Sequence, residues 1–460
     1  MTDESSYRNP LGYQPVGVLM KRLAIPAVVA NVVNALYNVI DQIVIGQGIG
    51  FLGNAATNIA FPLTTICLAL GLMIGIGSAS RFNLEMGRKE MQKAKLTIGN
   101  ATILLFGVGI LICLLVRIFL EPLMLIFGAT ENILSYAMTF SGITSFGIPF
   151  LMFSMGFNPI VRADASPKYS MMAIVTGAVI NTVLSPLFMF VFNWGIAGTA
   201  WATVISQFIS ALLLLAYFPR FKSVTLEKED FKLDWHTIKS IVVLGLTPFV
   251  TQVSNIIIQV LGNNLLKQYG SQSVYGPDIP IAIAGIVMKV NVIFMAIVLG
   301  MVQGSQPIIG FNYGAKNFPR VRETFKVLMK SVAVVSVLAW MAFELLPGQL
   351  ISLFGSGDSG LYLEFGKYYM RTFLFFSITN GFMISISTYF TSIGKAWKGT
   401  ILSMLRQLIL LIPLMILFAR LFGVKGVMLG GPVSDFVTFI MAAIFIVIEF
   451  KRMPKENLSV

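Results

Sequence analysis

The stretch Leu23–Gly46, LAIPAVVANVVNALYNVIDQIVIG, decides the class of fold, and Asp41 is its only acid. The stretch is apolar over most of its length, and about 20 helical residues cross the roughly 30 Å hydrocarbon core of a bilayer. An ionised carboxylate on such a helix costs on the order of 3 kcal/mol, so it normally faces protein or water and serves a function. The alternative is that Asp41 lies near the helix end and reaches the headgroups, but the Asp side chain is too short to reach far. We therefore interpret Asp41 as a functional residue on a membrane-spanning helix.

Two further polar residues share the helix face of Asp41. Tyr37 lies four residues before it and Asn38 three residues before it. Residues at these spacings are neighbours on a helix surface. We expect both side chains to contact what Asp41 binds.

The composition of the whole chain agrees with a membrane protein. Of the 460 residues, 56% are hydrophobic and only 12% are charged, and the mean hydropathy is +0.82. Apolar runs long enough to cross a bilayer recur throughout, without the short alternating segments of a transmembrane barrel. The sequence predicts an all-α polytopic membrane protein of twelve spans, with these bounds: 18–46, 52–80, 96–117, 134–160, 169–192, 196–218, 239–266, 279–311, 324–346, 366–392, 398–420 and 425–450.

The basic residues predict the orientation of these spans. Of the 33 Lys and Arg residues, 25 fall in the two termini, in alternate loops or at the span ends next to them, six at the opposite face and two well inside spans. Basic loops stay on the cytoplasmic side. We therefore expect a multi-pass protein of the inner or plasma membrane with both termini in the cytoplasm. The net charge of +13 does not indicate a nucleic-acid partner.

Few residues suit catalysis or a structural metal. Cys67 and Cys113 lie inside apolar runs, and the single histidine, His236, stands in a charged linker without ligand partners nearby. No nucleophile–base pair is apparent, so we predict that the chain is not an enzyme and carries no cofactor or bound metal. Residues 1–17 lack a signal-peptide pattern, and we expect the first span to act as the insertion signal.

The chain divides into two similar halves around the polar linker 220–238. Three sets of residues recur at nearly constant offsets. At an offset of 227, Gly77, Gly87 and Lys89 match Gly304, Gly314 and Lys316; at 228, Gly195, Gly198, Ser206 and Phe208 match Gly423, Gly426, Ser434 and Phe436. At an offset of 222, Pro26, Tyr37 and Asp41 align with Pro248, Gln259 and Asn263. With an even number of spans in each half, the copies share one orientation and enclose a cavity, as in transporters. We predict a tail at 1–17, lobes at 18–219 and 239–451, the linker 220–238 and a tail at 452–460.

Other polar groups within the spans are weaker candidates. Lys289 is either a cavity cation or a structural partner, Arg406 is expected to be structural and to reach the cytoplasmic surface, and Asp435 is expected to pair with a neighbouring donor. The uncharged candidates for a pocket are Asn181, Ser185, Thr203, Gln252, Gln259 and Asn263, although such groups often only bind helices together.

Three motifs resemble those of the multidrug and toxic compound extrusion (MATE) family, in particular its bacterial multidrug efflux pumps. They are Leu36-Tyr37-Asn38-x-x-Asp41, the run QGSQPIIGFNYGAK from Gln303 to Lys316, and Arg406-Gln407 with Gly426–Asp435. The resemblance covers residues 16–452. It implies a two-lobed antiporter that exports cationic, amphipathic drugs in exchange for H⁺ or Na⁺.

The resemblance also implies a site. The cation-coupling residues would be Asp41, Tyr37, Asn181, Thr203 and Ser185, with Na⁺ able to bind at Asp41 and Asn181. The family often has Asn-x-x-x-Asp-Pro on the fifth span, whereas this chain has Ser185 at the position of the second acid. A lone buried acid favours the proton, because it is neutralised by one proton, whereas Na⁺ needs more oxygen ligands.

The substrate cavity would include the polar residues Asn38, Gln252, Gln259, Asn263, Lys289 and Gln303. The expected partners are small organic cations and the lipid bilayer, and the chain is expected to be a monomer. The alternative function is a lipid-linked oligosaccharide or lipid flippase of related architecture, which needs a basic cavity for a pyrophosphate headgroup. A channel or structural membrane protein is disfavoured by the paired lobes and by Asp41.

Overall fold

A computed structural model describes residues 9–276, 278–352 and 360–454. Over these ranges the chain is helical without strands, and eleven helices are long and apolar enough to cross a membrane, or twelve when a bent pair counts as one span. The spans are α1 (Val16–Ile49), α2 (Phe51–Gly87), α3 (Met91–Ile118), α4 (Glu131–Ala163), α5 (Pro167–Val191), α6 (Gly195–Leu215), α7 (Trp235–Gly270), α8 (Asp278–Gly314), α9 (Phe318–Leu345), α10 (Gly360–Phe373 with Ser377–Ser392), α11 (Ala396–Phe422) and α12 (Val424–Arg452). The prediction of an all-α membrane protein with twelve spans is confirmed.

Four spans depart from a regular α-helix. Helix α4 contains a 3-10 turn at Ser145–Gly147. The two parts of α10 meet at an angle of 42°. Helix α5 ends in a π-helical turn at Leu187–Val191, directly after Pro186, and α11 contains another at Leu405–Leu411. Such turns are frequent at functional sites. The turn in α11 includes Arg406.

The backbone repeats between the halves as the sequence does. Lys89 and Lys316, 227 residues apart, both have a positive φ, of 62° and 57°. A positive φ is uncommon for a residue other than glycine. Gly195 and Gly423, 228 residues apart, share this conformation with φ of 56° and 64°. Equivalent turns therefore join equivalent helices in two pseudo-symmetric lobes.

The lobes contact each other most closely through two matching helix pairs, α1 with α8 and α2 with α7. A methyl carbon added to Gly77 would lie 2.0 Å from the Ile241 carbonyl oxygen, and one added to its repeat partner Gly304 would lie 2.6 Å from Ala24 Cα. These glycines permit the helix backbones to touch. The contact lies toward what we name the linker end, the end of the bundle that carries the interhelical segment 221–234 and the loops at 88–90 and 315–317.

The tips of α2 and α8 cross at the same end. A methyl carbon added to Gly87 would lie 2.1 Å from the Phe311 carbonyl oxygen, and one added to Gly314 would lie 2.2 Å from the Leu84 carbonyl oxygen. These four residues form two repeat-related pairs. Nearer the opposite end, by contrast, none of residues 31–43 of α1 or 255–264 of α7 is fully buried. The lobes are thus sealed at the linker end and less tightly packed at the other.

The segment before α1 binds the second lobe. Leu11, in the short helix Pro10–Gly12, is 1% exposed and belongs to the core of the second lobe. Its carbonyl oxygen accepts hydrogen bonds from Asn312 Nδ2 at 2.9 Å and Arg320 Nε at 3.1 Å. Arg320 also donates to the Gln14 carbonyl.

The segment before α7 binds the first lobe in the same manner. The short helix Lys228–Phe231 packs on α3, where Gln92 Nε2 donates to Asp230 Oδ1 at 3.0 Å. Asn100 donates to the Lys232 carbonyl at 3.0 Å and accepts from the Asp234 amide at 2.9 Å. Each leading segment therefore lies on the lobe to which it does not lead.

Candidate functional site

Asp41 faces protein. It lies eight residues before the end of α1, which is about 12 Å of helix, and its side chain is half-buried. Ser185 on α5 donates its hydroxyl to Asp41 Oδ1 at 3.0 Å. Ser185 is 1% exposed and stands at the end of the regular helix, before Pro186 and the π-helical turn.

Asn181 and Thr203 lie beside this pair. Asn181 precedes Ser185 by four residues on α5, so the two share a helix face. Asn181 Nδ2 donates to Thr203 Oγ1 on α6 at 3.2 Å, and Thr203 donates in turn to the Thr199 carbonyl at 3.0 Å. Asn181 Oδ1 is buried without a hydrogen-bond partner among the residues that the structure describes. An unused buried acceptor is costly, so it is available to a proton donor or a cation.

The helices α1, α5 and α6 thus bring together four of the five predicted coupling residues. α1 packs along α5, and α5 along α6. The fifth residue, Tyr37, is half-buried one turn before Asp41. Asn38, by contrast, is exposed and donates to the Asn34 carbonyl of its own helix at 2.7 Å.

The predicted cavity residues of the second half are dispersed. Gln303 on α8 accepts from Asn31 on α1 at 3.2 Å, which links the lobes. Gln252 accepts from Asn255 at 3.4 Å within α7. Three others, Gln259, Asn263 and Lys289, have exposed side chains. Their assignment to a substrate cavity stays a prediction.

Arg406 and Asp435 form a buried ion pair. Arg406 Nε lies 2.6 Å from Asp435 Oδ1, and the two side chains are 16% and 8% exposed. The prediction that Asp435 pairs with a neighbouring donor is confirmed. The prediction that Arg406 reaches the surface is wrong, because its guanidinium turns from the π-helical turn of α11 toward α12.

Sequence reasoning missed several polar contacts that hold the helices together. Gln407 Nε2 donates to Asn255 Oδ1 at 3.1 Å, joining α11 to α7. At the linker end of α2, Arg81 Nε pairs with Glu85 Oε1 at 2.6 Å and Arg81 also donates to the His236 carbonyl. The i,i+4 spacing of Arg81 and Glu85 was a usable signal. The partners of Gln407 lie too far along the chain to be read from spacing.

Among the described residues, no group of three or more His, Cys, Asp or Glu side chains could hold a metal ion. The Asp41 carboxylate has the uncharged hydrogen-bond partner Ser185. The arrangement can bind one cation or one proton at a time at the Asp41 carboxylate, with hydroxyl and amide oxygens nearby.

Comparison with known proteins decides the family. The sequence profile of the MatE family matches residues 26–187 and 235–417, more than half of the chain. The chain belongs to the MatE family. One matched range falls in each half of the chain, and residues 188–234 between them are not matched.

Relatives and solved structures in this MATE group cover nearly the whole chain. The chain is 21% identical to the multidrug export protein MepA of Staphylococcus aureus strain MSSA476, over 99% of both chains. It is 22% identical to MepA of Staphylococcus haemolyticus, over 96% of this chain and 95% of that one. A MATE structure in complex with MaL6 superimposes with a TM-score of 0.90 at 22% identity, covering 97% of this chain and 99% of the other. An outward-facing MATE multidrug resistance transporter superimposes with a TM-score of 0.88 at 22% identity, covering 97% and 100%.

Proposed function

We propose that this protein is a secondary active antiporter that exports cationic, amphipathic drugs or toxic organic compounds in exchange for H⁺ or Na⁺. The observation that carries the proposal is Asp41, an acid in a membrane-spanning helix whose structural partner is the neutral hydroxyl of Ser185. Its family membership and the relatives named multidrug export proteins support the same function.

Competition for one charge provides the coupling. Deprotonated Asp41 attracts an organic cation, and an incoming H⁺ or Na⁺ at Asp41 removes that attraction. Two ligands that exclude each other at one group lower each other's affinity by the same factor. Each ligand therefore promotes release of the other, which is what exchange requires.

Alternating access would move the site between the two sides of the membrane. The units that move would be the lobes 18–219 and 239–451. Both termini and the linker 220–238 would lie on the cytoplasmic side of the inner or plasma membrane. The seal at the linker end and the unburied outer parts of α1 and α7 are consistent with a state that opens away from the cytoplasm. Release of the drug would accompany a shift of α1 near Pro26. Because proline has no backbone N–H, the helix lacks one hydrogen bond at this point.

The proton is favoured as the coupling ion. Ser185 occupies the place where a second acid would add charge and oxygen ligands, so Asp41 is the only carboxylate of the proposed site. One bound proton neutralises it. Asn181 Oδ1 and the hydroxyl oxygens of Ser185 and Thr203 remain as the ligands that a Na⁺ ion would use with it.

The buried ion pair argues against a lipid-linked oligosaccharide flippase. A pyrophosphate headgroup needs unpaired basic side chains in the cavity. Arg406 is neutralised by Asp435 at 2.6 Å. Of Arg406 and Lys289, the two basic candidates for the cavity, only Lys289 would remain to bind such a headgroup.

The test is ethidium efflux from cells that lack their own drug pumps. Expression of the wild-type chain should confer efflux and drug resistance. Asp41→Asn should abolish both at unchanged expression, whereas Glu131→Gln, at an exposed acid, should not. Resistance retained by Asp41→Asn would refute the assignment.

Transport in liposomes then identifies the ion. Purified protein should drive ethidium movement under a pH gradient alone and fail under a Na⁺ gradient alone. The opposite result assigns Na⁺. Movement that only dissipates an ethidium gradient, under either condition, contradicts antiport.

A further inference from the structure

The second lobe contains a polar network on the helices that correspond to those of the Asp41 site. Helices α7, α11 and α12 are the counterparts of α1, α5 and α6. Gln407 on α11 donates to Asn255 on α7 at 3.1 Å, Arg406 on α11 pairs with Asp435 on α12, and Ser434 Oγ donates to the Arg406 carbonyl at 2.7 Å. The same three-helix junction is therefore polar in both lobes.

The two networks lie at similar depths. At the offset of 228 residues that relates α6 to α12, Thr203 corresponds to Gly431, and Asp435 lies four residues, or about one helical turn, further along α12. Because α12 runs toward the linker end, the second network lies one turn nearer to that end than the first.

The networks differ in charge. In the first, Asp41 has the uncharged partner Ser185, so the junction carries one negative charge when Asp41 is ionised. In the second, the guanidinium of Arg406 neutralises Asp435. Opposite charges at 2.6 Å in a poorly hydrated setting interact strongly, and removing one partner leaves an uncompensated buried charge.

The second network also has features suited to binding. Gln407 Oε1 is buried with no hydrogen-bond partner among the described residues. The side chain of Asn255, which accepts from Gln407, is exposed on the loosely packed part of α7. The network thus has an unused oxygen acceptor and a neighbour that is accessible from outside the core.

We propose that Arg406 is a specificity-determining residue that masks Asp435 and so restricts organic-cation binding to one site per chain. The inference deepens the proposed function, because it treats Asp41 as the single drug-binding charge. Without Arg406, Asp435 would be a second carboxylate at a polar junction of the same construction. The chain would then hold two organic cations.

The test measures the binding stoichiometry of tetraphenylphosphonium by equilibrium dialysis on purified protein in detergent. The wild type should bind one cation per chain, Arg406→Gln two, and Arg406→Lys, the matched control that keeps the charge, one. Asp41→Asn alone should bind no cation, and the double variant Asp41→Asn/Arg406→Gln should bind one per chain. Adding Asp435→Asn to the double variant should abolish binding again.

A folded Asp41→Asn/Arg406→Gln protein that binds no tetraphenylphosphonium overturns the proposal. Binding by this double variant that survives the addition of Asp435→Asn overturns it as well. If Arg406→Gln does not fold, Arg406→Met provides a second variant and the wild-type stoichiometry a second measurement. Two cations bound to the wild type, one of them lost in Asp435→Asn, would also contradict masking. Failure of the proposed function has a different result: Asp41→Asn would then leave wild-type binding unchanged.

Discussion

The glycine contacts between the lobes predict how strongly the linker end is held shut, and Gly77→Ala tests this. The added methyl carbon would lie 2.0 Å from the Ile241 carbonyl oxygen. Ordinary van der Waals contact begins at 3.4 Å, so α2 and α7 must separate by about 1.4 Å. Overpacking of this kind typically costs about 1–3 kcal/mol. Because the obstructing atom belongs to the backbone, no side-chain rotation relieves the clash.

The cost falls on the state that is closed at the linker end. If the open state is unaffected, the ratio of open to closed molecules should rise about 5- to 150-fold for 1–3 kcal/mol. Ser80, 4% exposed on α2 near this contact, provides a reporter. We would place Ser80→Cys in a background with Cys67→Ala and Cys113→Ala and measure the rate of maleimide labelling in membranes.

Gly77→Ala should raise the labelling rate by at least fivefold. The matched control is Gly285→Ala in α8, where an added methyl carbon meets no atom within 4 Å. Equal labelling rates for Gly77→Ala and the parent protein would mean that this contact does not hold the linker end closed. A similar increase in Gly285→Ala would attribute the effect to any added methyl group.

Three further predictions concern other contacts. Ser185→Ala removes the hydrogen bond to Asp41, and since bonds to charged groups contribute about 1.5–3 kcal/mol, tetraphenylphosphonium binding should weaken by about tenfold or more in dialysis; unchanged affinity would contradict a role for Ser185. Asp164→Ala removes a carboxylate that accepts from the Tyr217 hydroxyl and from the amides of residues 222 and 223. It should lower the melting temperature, measured by size-exclusion chromatography after heating, whereas substitution of exposed Glu131 to Gln should not. Asn312→Ala removes a hydrogen bond to the Leu11 carbonyl, so trypsin should cut before α1 faster than in the wild type; equal rates would show that this bond does not hold the segment.

The fold was largely predictable because a membrane span is recorded locally in the sequence. Hydropathy located every span, but it placed the start of α3 at residue 96 where the helix begins at Met91. The helical residues before position 96 include Lys93 and Lys95, and charged residues that extend a helix beyond the bilayer carry no apolar signal. The bend of 42° in α10 has no proline or glycine at the break to announce it.

The site was predictable in part for the same reason. Asn181 and Ser185 share a face by their spacing, and the resemblance placed them with Asp41. The pair of Arg406 and Asp435 depends on the packing of α11 against α12 and on the π-helical turn at Leu405–Leu411. Neither property follows from the separation of the two residues along the chain, so the sequence left Arg406 at the membrane surface.

The leading segments have a consequence for how this architecture could have arisen. Residues 10–12 lie on the second lobe, and residues 228–231 lie on α3 of the first. Two subunits that exchange identical arms form a dimer at little cost, and the present chain has this geometry with both subunits in one polypeptide. Cutting the chain between α6 and the second arm would therefore leave two fragments that still hold each other. Either fragment produced alone would expose an empty groove and should need its counterpart in the same membrane to fold.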